Sequence, residues 1–132
     1  AGTSAMKAIA LGRPFRLPYH GPECYHYVDD VAAAFRISAL APFSGCEPFN
    51  IRGHTMDATA FLERMKQAAD ELGLPAEDIA FAEDADRNTF VYDLDAESFL
   101  QCFPDLPLTD TYAAILETLT VFKAQASAGV LI

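Results

Sequence analysis

The sequence predicts a helix-rich domain of the α/β class (α+β as an isolated piece) with a few short strands. Short segments rich in β-branched and aromatic residues alternate with segments whose apolar residues recur every three or four positions. Of the 132 residues, 52% are hydrophobic, which is enough for one buried core. No internal repeat or linker divides the chain, so residues 1–132 are expected to form a single unit, with residues 1–10 as a flexible lead.

Four helices are predicted from their caps, their apolar periodicity and their stop signals: 31–41, 55 or 57 to 72, 93–100 and 110–122. Asp30, Asp57 (or Thr55) and Asp110 are the expected caps, because their side chains can accept hydrogen bonds from the free N–H groups of a first turn. Gly73 is the expected stop of the second helix.

Strands are predicted where β-favouring residues cluster, in segments 24–28 and 48–51, and strands or extended segments are predicted at 79–81 and 89–92. Segment 11–22 has three prolines and two glycines, and is predicted to be an extended loop with little regular structure. The acidic stretch 83–86 is predicted to be a solvated loop. A single strand such as 24–28 cannot bury itself, so it needs a neighbouring sheet inside or outside this chain.

Charge and cysteine content narrow the functional classes. The chain has 9 Lys and Arg against 19 Asp and Glu, a net charge of −10, which argues against nucleic acid and against an anionic membrane surface. The three cysteines are odd in number and widely spaced, which indicates a reducing compartment, so the cytoplasm is expected.

No catalytic or metal site is predicted from motifs. The sequence has neither a GxGxxG turn nor a P-loop. His20, Cys24 and His26 are residue types that bind zinc, but a Gly-Pro break separates His20 from the other two, and partly buried polar groups beside a strand explain them more simply. Cys24 with His26 is the one local thiol–base pair considered, on equally weak grounds.

Arg13, Arg16 and Tyr19 are the candidate ligand contacts. They lie in the Pro-rich loop, and two guanidinium groups with an aromatic ring suit an anionic or phosphorylated ligand. The alternative is that both arginines are solvated loop charges.

Four segments resemble, in order, the NAD-dependent epimerase/dehydratase family, the extended short-chain dehydrogenases/reductases. They are Tyr25-His-Tyr-Val-Asp-Asp-Val-Ala-Ala-Ala34, Glu47-Pro-Phe-Asn-Ile-Arg-Gly53, Tyr92-Asp-Leu-Asp-Ala-Glu-Ser-Phe-Leu100 and Pro107-Leu-Thr-Asp-Thr-Tyr112. The resemblance covers roughly residues 11 to 124 and concerns the C-terminal part of such enzymes.

The resemblance implies the C-terminal, substrate-binding part of an extended Rossmann-type dehydrogenase that acts on a nucleotide sugar or a related substrate. It places the substrate loop on residues 11–19, making Arg13 and Arg16 candidate ligand contacts, with Arg87 a loose match to a phosphate-binding arginine. No tyrosine here is followed by Lys four residues on, so the family's Tyr-x-x-x-Lys is absent and the chain alone is expected to be inactive. The implied cofactor, NAD or NADP, would bind the N-terminal dinucleotide-binding domain of the parent and not this chain.

Two other functions are compatible with the same residues: a free-standing binding or regulatory module, and a partner chain that completes a sheet with another polypeptide. The apolar helix faces and the unpaired strand, which would normally meet the dinucleotide-binding domain, are expected to cause self-association or strand exchange of the isolated chain.

Overall fold

The computed structural model describes residues 1–42 and 44–132. Within them the helices and strands follow in this order: α1 (Gly2–Ala10), β1 (Phe15–His20), β2 (Pro22–Tyr25), α2 (Val28–Leu40), β3 (His54–Asp57), α3 (Ala58–Glu71), β4 (Ile79–Arg87), α4 (Glu97–Cys102) and α5 (Thr111–Ser127). The mixed, helix-rich fold class is therefore confirmed. None of the helices in the described ranges combines the length and apolarity that a bilayer crossing requires.

Strands β1 and β4 form a parallel pair in which Phe15 lies opposite Ile79 and Leu17 opposite Phe81. The register shifts between Leu17 and Tyr19, at Pro18, which has no N–H to donate to a neighbouring strand. The predicted loops at 11–22 and 83–86 are therefore wrong, because each contributes residues to this pair. A prediction from proline content missed the strand because prolines are tolerated at edges and bulges, and both strands of a two-stranded sheet are edges.

Strands β2 and β3 form an antiparallel pair, with Cys24 opposite Thr55 and Tyr25 opposite His54. The strand predicted at 24–28 thus lies two to three residues earlier, and its partner is inside this chain. Segment 48–51, predicted as a strand, and segment 89–92, predicted as a strand or an extended segment, have no strand structure. A β-favouring segment becomes a strand only beside a partner, and none lies alongside either segment in the described part of the chain.

Helix α1 corrects the prediction that residues 1–10 are a flexible lead. Ala5 and Ile9 are fully buried, and Met6 and Ala8 nearly so. These positions share one helical face, which packs in the main core with residues of α5 and β1.

The caps of the two long helices are confirmed. The Asp57 carboxylate accepts a hydrogen bond from the Thr59 N–H at the start of α3, and Asp110 accepts one from the Ala113 N–H at the start of α5. Gly73 follows the end of α3 with φ +63°, a left-handed conformation that favours glycine.

Buried residues form two clusters of very different size. The main core joins α1, β1, α3, β4 and α5, and Ile9, Met65 and Leu119 lie at its centre. The second cluster lies between α2 and α4 and has three buried residues, Ala34, Phe99 and Phe103.

Candidate functional site

A groove of about 830 Å³ runs between the first turn of α1, strand β2, the start of α2 and helix α5. Small-molecule sites in proteins usually have volumes of roughly 300–1,000 Å³, so the groove has the size of a ligand site. A second pocket, beside Arg13 and Asp78, has about 20 Å³ and is too small for a ligand.

The floor of the groove is aromatic. The Tyr25 ring stacks on the Phe61 ring with centroids 3.9 Å apart and planes 5° from parallel. The start of α1 lies close against the Phe61 ring, where a Cβ on Gly2 would lie 2.9 Å from Cε1. Burial raises the pKa of the Tyr25 hydroxyl, and the nearby Glu23 carboxylate raises it further, so this tyrosine remains protonated.

The rim of the groove is acidic. The Tyr27 hydroxyl donates a hydrogen bond to Oδ2 of Asp29 at 3.3 Å, on the first turn of α2. Desolvation and the nearby carboxylates of Glu117, on α5, and Asp29 raise the pKa of Tyr27 to about 12. Glu23 adds a third carboxylate from β2. None of the nine Lys and Arg side chains lines the groove.

The predicted ligand contacts lie elsewhere. Arg16 donates a hydrogen bond to the carbonyl oxygen of Asp78 at 2.6 Å, so its guanidinium is held at the start of the β1–β4 pair. Arg13 lies at the small pocket in the α1–β1 connection.

Tyr19 and Arg87 lie near the other end of the same pair, where Tyr19 packs edge-to-face against Phe90 with centroids 6.3 Å apart. All four predicted residues are exposed, and none lines the groove. Their role in substrate binding stays a prediction.

Asp30 does not cap α2, which corrects that prediction. The N-cap of α2 is Tyr27, without a side-chain cap, and Asp30 is buried in the first turn. Its carboxylate accepts two hydrogen bonds from Thr109, from the backbone N–H at 2.8 Å and from the hydroxyl at 2.7 Å. A cap prediction from local sequence cannot detect this contact, because the two residues are 79 positions apart.

Cys24 and His26 do not form a thiol–base pair. Cys24 Sγ lies 4.0 Å from Nε2 of His26, but the same nitrogen is 3.0 Å from the carbonyl oxygen of Ile51. A carbonyl can only accept, so Nε2 must carry the proton and cannot take one from the thiol.

Gly53 lies so close to Cys24 and Tyr25 that no side chain fits at its position. A Cβ there would lie 2.6 Å from the Tyr25 carbonyl oxygen and 2.8 Å from Cys24 Sγ. In residues 1–42 and 44–132 no group of three or more His, Cys, Asp or Glu side chains is arranged to hold a metal ion.

Sequence reasoning missed Glu117 and His54. Glu117 is the sole acidic residue between positions 111 and 127, in a segment whose one other charged residue is Lys123, and this position is the signal in the sequence. His54 contacts the Thr109 carbonyl oxygen through Nε2 at 2.8 Å, and nothing in the local sequence indicates that contact.

Searches against family models, curated proteins and solved structures found no match to this chain.

Proposed function

We propose that the chain is the substrate-binding C-terminal part of an NAD(P)-dependent epimerase, dehydratase or reductase that acts on a nucleotide sugar or a related substrate. The observation that carries the proposal is that the four segments with family resemblance are joined to one another by hydrogen bonds, although they are far apart in sequence.

The strongest of these links is the double hydrogen bond from Thr109 to Asp30, which joins the segments at 107–112 and 25–34. The segment at 47–53 contacts the segment at 92–100, because the Asn50 side-chain amide donates to the carbonyl oxygen of Asp95 at 3.0 Å. Thr55, two residues beyond the 47–53 segment, donates a hydrogen bond to the carbonyl oxygen of Tyr92 at 3.0 Å. Segments selected for their order in the sequence are thus neighbours in the fold, which supports one structural unit.

The exposed surface of α2 also supports the proposal. Val28, Phe35 and Leu40 are 69%, 70% and 75% exposed, and segment 47–53 beside this region has no strand structure. Exposed apolar surface of this kind is typical of a surface that packs against another domain. In the proposed parent, the dinucleotide-binding domain covers it.

The role of this part is positioning. NAD or NADP, held by the other domain, supplies hydride transfer. The chain itself has no glycine-rich dinucleotide turn and no Tyr-x-x-x-Lys, so its residues hold the substrate with its carbinol carbon towards the cofactor. Orientation of this kind contributes up to about 7–11 kcal/mol to lowering a barrier in favourable cases.

The experiment is to recover the natural protein from its source cells with an antibody raised against this chain. We expect a mass well above 14.4 kDa, by about one further domain of 100–150 residues, and binding of NAD or NADP to the recovered protein. A natural product of 14.4 kDa would overturn the proposal in favour of a free-standing module or partner chain. A larger product that binds neither cofactor would overturn the dehydrogenase assignment.

A further inference from the structure

We propose that the groove binds an organic cation with an apolar body, an amine, and that it does not take the phosphate of a nucleotide sugar. The inference rests on the proposed function in treating the bound amine as the substrate, and it selects the related substrate of that proposal in place of the nucleotide sugar.

The apolar part of the ligand is indicated by the walls of the groove. Tyr25 and Phe61 form the floor, and Met6, Val121 and Phe122 contribute aliphatic and aromatic surface from α1 and α5. Such a surface favours a ligand of which most atoms are carbon. Aromatic faces also attract a cation placed over them.

The charged part of the ligand is indicated by the rim. Glu23, Asp29 and Glu117 come from three different elements and place three carboxylates around one opening. A bound phosphate would lie beside these carboxylates, where like charges repel it, and no Lys or Arg lines the groove to bind it. An ammonium group in the groove has carboxylate partners from three elements, and the two histidines that line it, His26 and His54, contact the carbonyl oxygens of Ile51 and Thr109.

The positive charges near the groove, which would repel an ammonium group, are smaller than the negative charge of the three carboxylates. The N-termini of α1, α2 and α5 lie along the groove, and each corresponds to about half a unit of positive charge. Asp29 and Asp30 lie in the first turn of α2, and Asp110 caps α5, so two of the three are offset by adjacent carboxylates. Ala1 also lines the groove, so the chain used in the test is N-acetylated, which leaves this residue uncharged.

Three probes with the same phenyl and alkyl body test the charge: 4-phenylbutylammonium, 4-phenylbutanol and 4-phenylbutyrate. Each is titrated into the ¹⁵N-labelled, N-acetylated chain at low salt and again at high salt. We expect the ammonium to bind roughly fivefold to tenfold more tightly than the alcohol, with the butyrate weakest, and salt to reduce this preference. The largest amide shifts should be at groove residues such as Thr3, Tyr27 and Glu117.

Matched variants separate the groove from the overall acidity of the chain. Glu117→Gln should weaken the binding of the ammonium about threefold and leave the alcohol unchanged. Glu63→Gln makes the same change in net charge at an exposed position of α3 that does not line the groove, and should change nothing. An unperturbed amide spectrum in the absence of ligand shows that each variant is folded.

Equal binding of the three probes, or tighter binding of the butyrate, would overturn the proposal. So would equal losses in the Glu117→Gln and Glu63→Gln variants, since the attraction would then be the net charge alone. These titrations need neither cofactor nor a second domain, so their failure leaves the proposed function intact. Conversely, failure of the natural-mass and NAD(P) experiment leaves the ligand class of the groove intact.

Discussion

The region around the main core and the region around α2 and α4 differ in how completely they bury their own apolar residues. In the first, Ile9, Met65 and Leu119 are fully buried. In the second, α2 buries only Ala34 among its apolar residues and exposes Phe35 and Leu40 to 70% and 75%. Both regions come from one sequence with apolar helices, so the difference lies in the available partners. The main core is supported by elements of this chain, whereas the α2 face has no such cover among the described residues.

A matched pair of leucine truncations tests this difference most directly. Leu119→Ala should lower the free energy of unfolding by about 2–5 kcal/mol, because it leaves a cavity in the main core. Leu40→Ala, the same change on the exposed face of α2, should alter it by no more than about 0.5 kcal/mol. Urea denaturation measures both, and similar losses for the two variants would show that α2 is buried in solution.

The link between the two regions is the next test. Asp30 of α2 holds Thr109, which directly precedes the cap of α5, so Asp30→Asn loses at least one charge-assisted hydrogen bond in a buried site. We expect a loss of about 2 kcal/mol in the free energy of unfolding. Thr109→Val, which removes the hydroxyl and keeps the backbone N–H, should cost about half as much. An Asp30→Asn variant as stable as the unsubstituted chain would show that α2 is not anchored through this contact.

The cap of α3, a helix that contributes to the main core, is the third test of this difference in stability. Asp57→Ala should lower the free energy of unfolding by about 1 kcal/mol, because the Thr59 N–H loses its acceptor. That hydrogen bond also lowers the pKa of the Asp57 carboxyl below its ordinary value of 3.8.

The sign of the pH effect follows from this shift. A carboxyl whose pKa is lower in the folded state adds stability above its unfolded pKa, and this stability is lost as the pH falls through the folded pKa. Asp57→Asn keeps a capping oxygen that does not titrate. The stability of the unsubstituted chain relative to Asp57→Asn should therefore fall between pH 5 and about pH 2. Thermal unfolding across that pH range measures this difference. A constant difference would contradict the shift.

The smallest effect on stability is expected on the exposed face of α2, where self-association is measured instead. Phe35→Lys combined with Leu40→Lys should change the free energy of unfolding by at most about 0.5 kcal/mol. It should also reduce association in light-scattering chromatography, because it removes exposed apolar surface. The control, Gln67→Lys with Thr120→Lys, adds the same charge at exposed positions of α3 and α5. An unsubstituted chain that is already monomeric would contradict the predicted self-association.

Local signals predicted the elements of the main core that are long and periodic. Helices α3 and α5 begin at their predicted caps, Asp57 and Asp110, since a cap and a repeat of three to four residues act within one helix. Helix α1 was missed even though Ala5 and Ile9 lie one turn apart, because the short segment is stabilised by its packing on α5 and β1.

Of the candidate site, the sequence supplied residues without their arrangement. It identified Arg13 and Arg16 as a pair, but the structure holds Arg16 on the Asp78 carbonyl oxygen. It gave no indication that Tyr27, Asp29 and Glu117 meet at one opening.

Composition, caps and apolar periodicity were therefore sufficient for the fold class and for the two long capped helices, because those properties depend on interactions a few residues apart. Strand pairing, the double hydrogen bond from Thr109 to Asp30 and the acidic groove depend on contacts between residues tens of positions apart. Such contacts form only when the chain closes long loops, and burial of the main core outweighs the entropy that this closure costs. Local sequence patterns do not show the balance between core burial and loop-closure entropy, so the groove is visible only in the folded chain.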